Sequence, residues 1–295
     1  MTVLRTVLAT PAAKVSAAVL LAILLAAVFA PWIAPYDAHD LASFDIAEAN
    51  YPPAWFPDGD AAHWLGTDDQ GRDLYSAILS GTQLSLAIGV TAAVLSLVIG
   101  VTAGLVAGYV GGFVDAVLMR LCDVMLAFPT LLTALLVDGV LRAVLGDETS
   151  AATTYAVLLL AMTAAGWVPY ARTVRGLARS KRSADFVSAA KLSGVSETTI
   201  LFRHILPNVL GPVFVLGAMN VSSAVMTEAT LSFLGVGVPP TTPSLGTLIR
   251  IGNDFLLSGE WWITVFPSAV LAATVLSVNL LGDRLRDALN PVLRG

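Results

Sequence analysis

The sequence predicts an all-α integral membrane protein with six transmembrane helices. Three observations carry that prediction. The 295-residue chain is 56% apolar and only 13% charged, whereas about a quarter of a soluble domain is charged. Its apolar residues gather into six stretches, and a bilayer core of ~30 Å takes roughly 20 helical residues to cross. Its basic residues fall almost entirely into alternate connecting segments, as the positive-inside rule requires of a multi-pass protein.

The stretches are about 15–33, 84–109, 116–141, 152–168, 209–231 and 262–281. Lipid offers backbone groups no partners, so each is expected as a helix. The first has a weakly basic start, Arg5 and Lys14, like a signal peptide. Pro31 follows its only small-residue cleavage site, Val28-Phe29-Ala30, so it is expected to be a retained helix. The second is rich in small residues (Gly89, Ala92, Ala93, Gly100, Gly104, Gly108). That composition suits close helix–helix packing, and it equally reflects the general frequency of glycine in membrane helices.

With both termini cytoplasmic, the inner segments hold 13 of the 16 basic residues. The outer segments keep Arg72, Arg142 and Arg250, and the first of them, 34–83, carries nine acidic residues against one arginine. Trp32, Trp167, Trp261 and Trp262 fall at span ends, as interfacial anchors do. Three regions follow: 1–83, with the N-terminal cytoplasmic tail, the first helix and the acidic extracytoplasmic loop; 84–283, a five-helix core; and 284–295, a cytoplasmic tail.

Inside the core, the cytoplasmic loop about 170–207 is far longer than a return to the membrane needs. It contains "DFVSAAKLSGVSETTILFRHILP". Asp185 suits the first turn of a short helix and Gly194 its stop. Ser196 then caps a second helix, with Glu197 near its positive end. Pro207, lacking an N–H, interrupts that helix or begins the next. Phe186 and Ala190 are i, i+4 neighbours, as are Leu201 and Ile205. Two short helices joined at a glycine form either a docking surface for a soluble partner or an amphipathic pair lying on lipid.

Other polar residues carry less. Glu228, near the outer end of the fifth span with Phe233 and Gly235 after it, is either a polar contact at an outer gate or partner subunit, or a hydrogen-bonded helix end holding the Gly235–Gly237 turn. The second reading is favoured, because a path for varied cargo needs few fixed charges. Asp138 poses the same choice more weakly. Asp68, Asp69, Arg72 and Asp73 lack the spacing of a calcium loop and are expected as a solvated outer loop or a contact with a binding protein. His39, His63 and His204 are scattered, and Cys122 stands alone. No G-x-S-x-G or H-E-x-x-H motif occurs, so the sequence offers no enzyme chemistry. The three lysines, Lys14, Lys181 and Lys191, each follow Ala or Ser, so there is no G-x-x-x-x-G-K-[ST] phosphate loop.

Ala189-Ala190, Gly194 and His204-Ile-Leu-Pro207 resemble the cytoplasmic EAA loop of binding-protein-dependent ABC importer permeases. The branch resembled is the second, C-type permease of dipeptide, oligopeptide and nickel importers. Five further motifs carry that likeness: His63-Trp-Leu-Gly-Thr-Asp-Asp-Gln-Gly-Arg-Asp73; Ala107-Gly-Tyr-Val-Gly-Gly112 with Asp115 and Met119-Arg120; Arg172-Thr-Val-Arg175; Glu228-Ala-Thr-Leu-Ser-Phe-Leu-Gly-Val-Gly237; and Asn279-Leu-Leu-Gly-Asp-Arg-Leu-Arg-Asp287. Ser188 departs from the acidic residue common before the Ala-Ala pair.

The resemblance implies the type I ABC importer permease fold, with 84–283 as the permease domain, in a bacterial or archaeal cytoplasmic membrane. It implies one half of a transport path, paired with a second homologous permease, two ATP-binding subunits and an extracytoplasmic solute-binding protein. ATP and Mg²⁺ would then be used by the partners, with no cofactor on this chain. Asp185, Phe186, Val187, Ala189, Ala190, Leu192, Gly194, His204 and Pro207 would form the ATPase-coupling loop. Cargo would be di- or oligopeptides, or alternatively nickel or another non-peptide solute. A different class, the ion-coupled secondary transporter, would require more intramembrane charge, inverted repeats or broken helices.

Overall fold

Residues 6–38, 40, 44–145, 151–239 and 242–289 are described in this computed structural model. The helices are α1 (Pro11–Ile33), α2 (Leu74–Val110), α3 (Gly112–Ala127), α4 (Thr130–Leu145), α5 (Ala151–Gly166), α6 (Val168–Arg182), α7 (Asp185–Leu192), α8 (Glu197–Phe233), α9 (Leu245–Phe255) and α10 (Trp262–Leu289). Among the described residues the only extended pairing is an isolated bridge between Thr67 and Asp73. By length and apolarity α1, α2, α8 and α10 can each cross a membrane, and the bent pairs α3–α4 and α5–α6 bring the number to as many as six. Arg5, His39 and Arg294 lie outside the described residues.

The 37-residue α2 is the axis of the molecule. It begins ten residues before the span read from hydropathy, because Asp73 caps it by accepting from the Ser76 N–H at 2.8 Å. The helix thus runs unbroken across residue 83. Along its second half Gly100, Gly104 and Gly108 lie against the backbone of α6. A Cβ on Gly104 or on Gly108 would fall 2.5 Å from the carbonyl oxygen of Ala171 or Arg175, respectively, and one on Gly100 would strike that of Trp167. The glycines therefore serve close packing, one of the two readings open from sequence.

Two expected spans are not straight. The stretch 116–141 breaks at Phe128-Pro129, where α3 and α4 meet at 99°. Proline removes a donor and pushes the residue before it out of the α region, and Phe128 is extended at φ −106° and ψ 140°. The stretch 152–168 bends by 42° at Trp167 and continues as the basic, amphipathic α6. Hydropathy stops reporting where the charged face begins, so the second half of this arm was invisible to it. At the C-terminal side, α8 is helical from Glu197 onward. Pro207 cannot donate, and the turn before it widens to a π-helix over Ile200–Ile205, in which the Leu206 N–H bonds back to Leu201. Pro207 therefore neither breaks α8 nor begins it: it stands at the second residue of the α-helical stretch Leu206–Phe233, where π geometry gives way to α.

The acidic segment before α2 corrects another expectation. His63, Thr67, Asp68, Arg72 and Asp73 are buried, not solvated. Arg72 Nε donates to Asp68 Oδ2 at 2.7 Å, while Asp68 Oδ1 accepts the Gln70 and Arg72 N–H groups at 3.0 Å each. The His63 ring spans Asp73 Oδ1 and Glu48 Oε2, 3.1 Å from each. The Trp262 indole donates to the Thr67 carbonyl at 3.3 Å, fastening the block to α10. A dense run of charges reads alike in sequence whether water or opposite charges surround it; here mutual pairing permits burial.

Asp69, beside this network, has its carboxyl pushed above the ordinary 3.8 by burial first and the Asp68 charge second. A carboxyl whose folded pKa is raised lends stability below its unfolded pKa and loses it as pH rises through the folded one. Asp69→Asn is therefore expected to melt above the parent at neutral pH, with the gap closing on acidification. A gap independent of pH between 3 and 7 would refute this assignment.

Candidate functional site

The end of the molecule carrying α7 is also the basic end, with Arg179, Lys181, Arg182, Lys191 and Arg203 around it. Here α2, α6, α7 and α8 share one core of Val101, Leu105, Tyr109, Val174, Ala178, Val187, Ile200, Leu201, Ile205 and Val209. Helix α7 contributes a single anchor, Val187, which is 1% exposed. Ala190 and Val195 pack on the margin of the same cluster. Asp185 stands in the first turn and Lys191 in the last, both favourable to the helix dipole.

Apart from Ala190 and Lys191, the remaining α7 side chains point away from the core. Asp185, Phe186, Ala189 and Leu192 are exposed, Leu192 to 91%. Phe202 of α8 is also exposed. An eight-residue helix held by one valine, with phenylalanine, alanine and leucine on its free side, presents an apolar surface that no described residue covers.

Its aim is set at Gly194. The Val195 N–H bonds to the Ala190 carbonyl at 3.1 Å and the Gly194 N–H to the Lys191 carbonyl at 3.0 Å, with Gly194 at φ +72°. This is a Schellman end, with Val195 and Ala190 both packed against the shared core. Ser196 accepts the Thr199 N–H at 3.3 Å and starts α8. Across the turn Lys191 Nζ lies 3.2 Å from Glu197 Oε1 and 5.3 Å from the centre of the Tyr109 ring, and the Tyr109 hydroxyl donates to Glu197 Oε2. Sequence reasoning missed this clasp, because Tyr109 lies 88 residues from Glu197 and only the fold joins them. His204 is half-buried and Pro207 exposed; Asn208 Nδ2 takes the His204 carbonyl at 2.7 Å.

The arm bearing α7 is braced from α3. Arg175 makes a two-pronged pair with Asp115, each contact 2.6 Å, and Arg182 reaches the Val110 carbonyl at 3.2 Å. Bidentate arginine–carboxylate pairs fix orientation as well as distance.

Glu228, Phe233 and Gly235 lie at the opposite end and do not meet the α7 loop. Glu228 is fully buried and accepts from the Ser232 hydroxyl at 2.8 Å, with the Ser85 and Ser244 hydroxyls facing the same carboxyl. Ser85 also accepts the Leu245 N–H at 3.2 Å, so this knot joins α2, α8 and α9. Gly235, at φ +80°, closes α8 with a second Schellman end, in which the Val236 N–H bonds to the Leu231 carbonyl at 3.0 Å. Arg142, paired with Asp138 at 2.7 Å, donates to the carbonyls of Val236 and Gly237. The geometry is that of a hydrogen-bonded helix end. Phe233 is partly exposed beside it.

Residues 100–295 match the family described as "Binding-protein-dependent transport system inner membrane component", and residues 2–53 match "N-terminal TM domain of oligopeptide transport permease C". The chain is 36% identical over 259 residues to a dipeptide transport system permease protein, DppC, of Haemophilus influenzae, covering 86% of this chain and 84% of that one. It is 37% identical over 260 residues to a glutathione transport system permease protein, GsiD, of Pectobacterium atrosepticum, covering 88% and 80%. Among solved structures, an inward-facing form of the MetNI methionine ABC transporter superposes with a TM-score of 0.57 at 16% identity, covering 72% of this chain and 96% of that one. At that identity the likeness speaks for the fold.

Proposed function

The chain belongs to the inner-membrane components of binding-protein-dependent transport systems, the permease subunits of ABC importers, and from that premise we propose how it works and what it carries. It forms one half of a path for di- or oligopeptides, with a second homologous permease as the other half. Two ATP-binding subunits drive it from the cytoplasm, and a solute-binding protein loads it from outside. The loop about 170–207 and both termini face the cytoplasm, and the acidic segment 34–83 faces outward.

The observation that carries this reading is α7. A transporter energised in trans must receive force from a soluble partner, and α7 offers a rigidly aimed, uncovered apolar face at the basic end. Val187 and the Gly194 turn fix the helix to α2, α6 and α8, so a displacement of α7 moves the helices that bend at Trp167 and widen before Pro207. The absence of a G-x-x-x-x-G-K-[ST] loop in the sequence agrees with hydrolysis on another chain.

The purified chain is expected to show no ATP turnover. Joined with the ATP-binding subunits, the second permease and the binding protein in proteoliposomes, it is expected to support peptide-dependent turnover. Hydrolysis by the chain alone, lost on mutating one of its own residues, would sink the proposal. In a Cys122→Ser background, Ser196→Cys should resist an impermeant thiol reagent added outside intact cells. Labelling from outside contradicts the orientation.

A further inference from the structure

The two helix breaks open onto one cleft. It lies halfway along α2, measures about 240 Å³, and takes its polar lining from Ser96 of α2, Thr130 at the start of α4, Tyr170 of α6, and Asn220, Ser223 and Thr227 of α8. The α8 residues are spaced i, i+3, i+7, so they form one uncharged polar stripe along that helix. No charged residue lines the cleft.

Within a membrane, irregular backbone is tolerated only where protein buries it or where it borders a hydrated cavity. Both breaks, at Phe128-Pro129 and at Trp167, border this one. Tyr170 is fully buried, and its hydroxyl faces the Asn220 side chain at the cleft wall with no other hydrogen-bond partner among the described residues. The fold therefore holds a desolvated hydroxyl and a carboxamide side by side in a cleft lined by both polar and apolar residues. Thr227 donates to the Ser223 carbonyl at 2.8 Å, which leaves its oxygen free to accept. Hydroxyls and carboxamides both donate and accept, which is what a peptide backbone requires, and an uncharged wall places no demand on the solute's side chains.

Building on the peptide-importer reading, we propose that this cleft is a transit site for solute, in which Tyr170, Asn220, Ser223 and Thr227 hydrogen-bond the backbone amides of a peptide. Selection by backbone rather than by side chain fits a path serving varied sequences. The polar stripe on α8 holds the peptide while the bends at Phe128-Pro129 and Trp167 let α4 and α6 change angle around it.

The test uses the complete transporter in proteoliposomes with its binding protein, ATP and tri-alanine as probe. In a Cys122→Ser background, Ser223→Cys is expected to react with a small methanethiosulfonate, and tri-alanine trapped by vanadate is expected to slow that reaction. Ser180→Cys, exposed on the charged end of α6, should react at a rate indifferent to peptide. Asn220→Leu should lower tri-alanine uptake about tenfold, the worth of roughly one hydrogen bond, with normal abundance and subunit assembly, and Asn220→Gln should restore most of it. If the wild type takes up tri-alanine but the peptide neither protects Ser223→Cys nor requires Asn220, the cleft is not a transit site, and the importer reading stands. If wild-type vesicles take up neither tri-alanine nor any member of a di- to pentapeptide mixture, the peptide reading fails and this ligand class fails with it.

Discussion

Gly104→Leu is expected to abolish transport and to lower the amount of folded protein in the membrane. The substitution strikes the middle of the backbone contact between α2 and α6. A Cβ at residue 104 would lie 2.5 Å from the Ala171 oxygen, 2.8 Å from Val174 Cβ and 3.0 Å from the Arg175 N–H nitrogen. Two of those three atoms are backbone, so no side-chain rotation relieves the clash; α2 and α6 must separate. Overpacking a tight core costs about 1–3 kcal/mol and occasionally more, and the leucine side chain beyond Cβ adds to the separation required. The neighbouring glycines share the interface at four-residue spacing, facing Trp167 and Arg175, so parting the helices at the centre releases the contacts on both sides. The core that anchors Val187 of α7 is built on these same two helices, so α7 loses its seat as the interface opens. The measurement is thermal melting in detergent together with membrane abundance and uptake. Gly176→Leu provides the comparison, since a Cβ there meets nothing within 4 Å. Wild-type melting and uptake in Gly104→Leu would mean that α2 and α6 are not in backbone contact.

The interface shows which parts of this molecule a sequence discloses. Apolar length disclosed the spans, and Asp185, Gly194, Ser196 and Pro207 disclosed the loop's helix starts and stops, because those are local effects of charge, φ and a missing N–H. Hydropathy failed wherever a helix outran the apolar zone. Residues 74–83 and 168–182 are helical but polar on one face, and the clue at the first of them was the Asp73 cap. It failed too at Pro129, where an unbroken apolar run conceals a right-angled turn that only the proline signals. The buried block of Asp68, Arg72, His63 and Asp73 could not be told from a solvated one, since its stability comes from partners such as Glu48 and Trp262 that the fold supplies. The Tyr109–Glu197–Lys191 clasp was beyond reach for the same reason. The α8 stripe at Asn220, Ser223 and Thr227 was legible by helical spacing alone, and its meaning depended on the broken helices that face it.

Gly194→Val is expected to uncouple the protein while leaving it folded. Gly194 stands at φ +72°, where a β-branched residue is strained by on the order of 1–3 kcal/mol. A Cβ there meets no atom within 4 Å, so the cost is conformational and confined to the turn. The chain can relieve it by giving up the Schellman bonds of Val195 and Gly194, worth about 1 kcal/mol each. Helix α7 is then held by Val187 and the exposed Lys191–Glu197 pair, and its free face no longer points one way. The α2–α6 glycine contact and the buried polar block before α2 do not involve the turn, so abundance and melting should stay near wild type. Association with the ATP-binding subunits should weaken and uptake should fall to near zero. Gly194→Asn, whose side chain tolerates the left-handed region, should keep much of both. Ala189→Glu separates aim from contact: Ala189 is exposed, so the free permease accommodates the carboxylate, but docking would desolvate it without a partner. That variant should melt like the parent and still fail to bind. A pull-down of the ATP-binding subunits with each variant, beside uptake in the same membranes, decides the matter. If Gly194→Val and Ala189→Glu both bind and transport normally, α7 is not the element through which hydrolysis reaches the membrane helices.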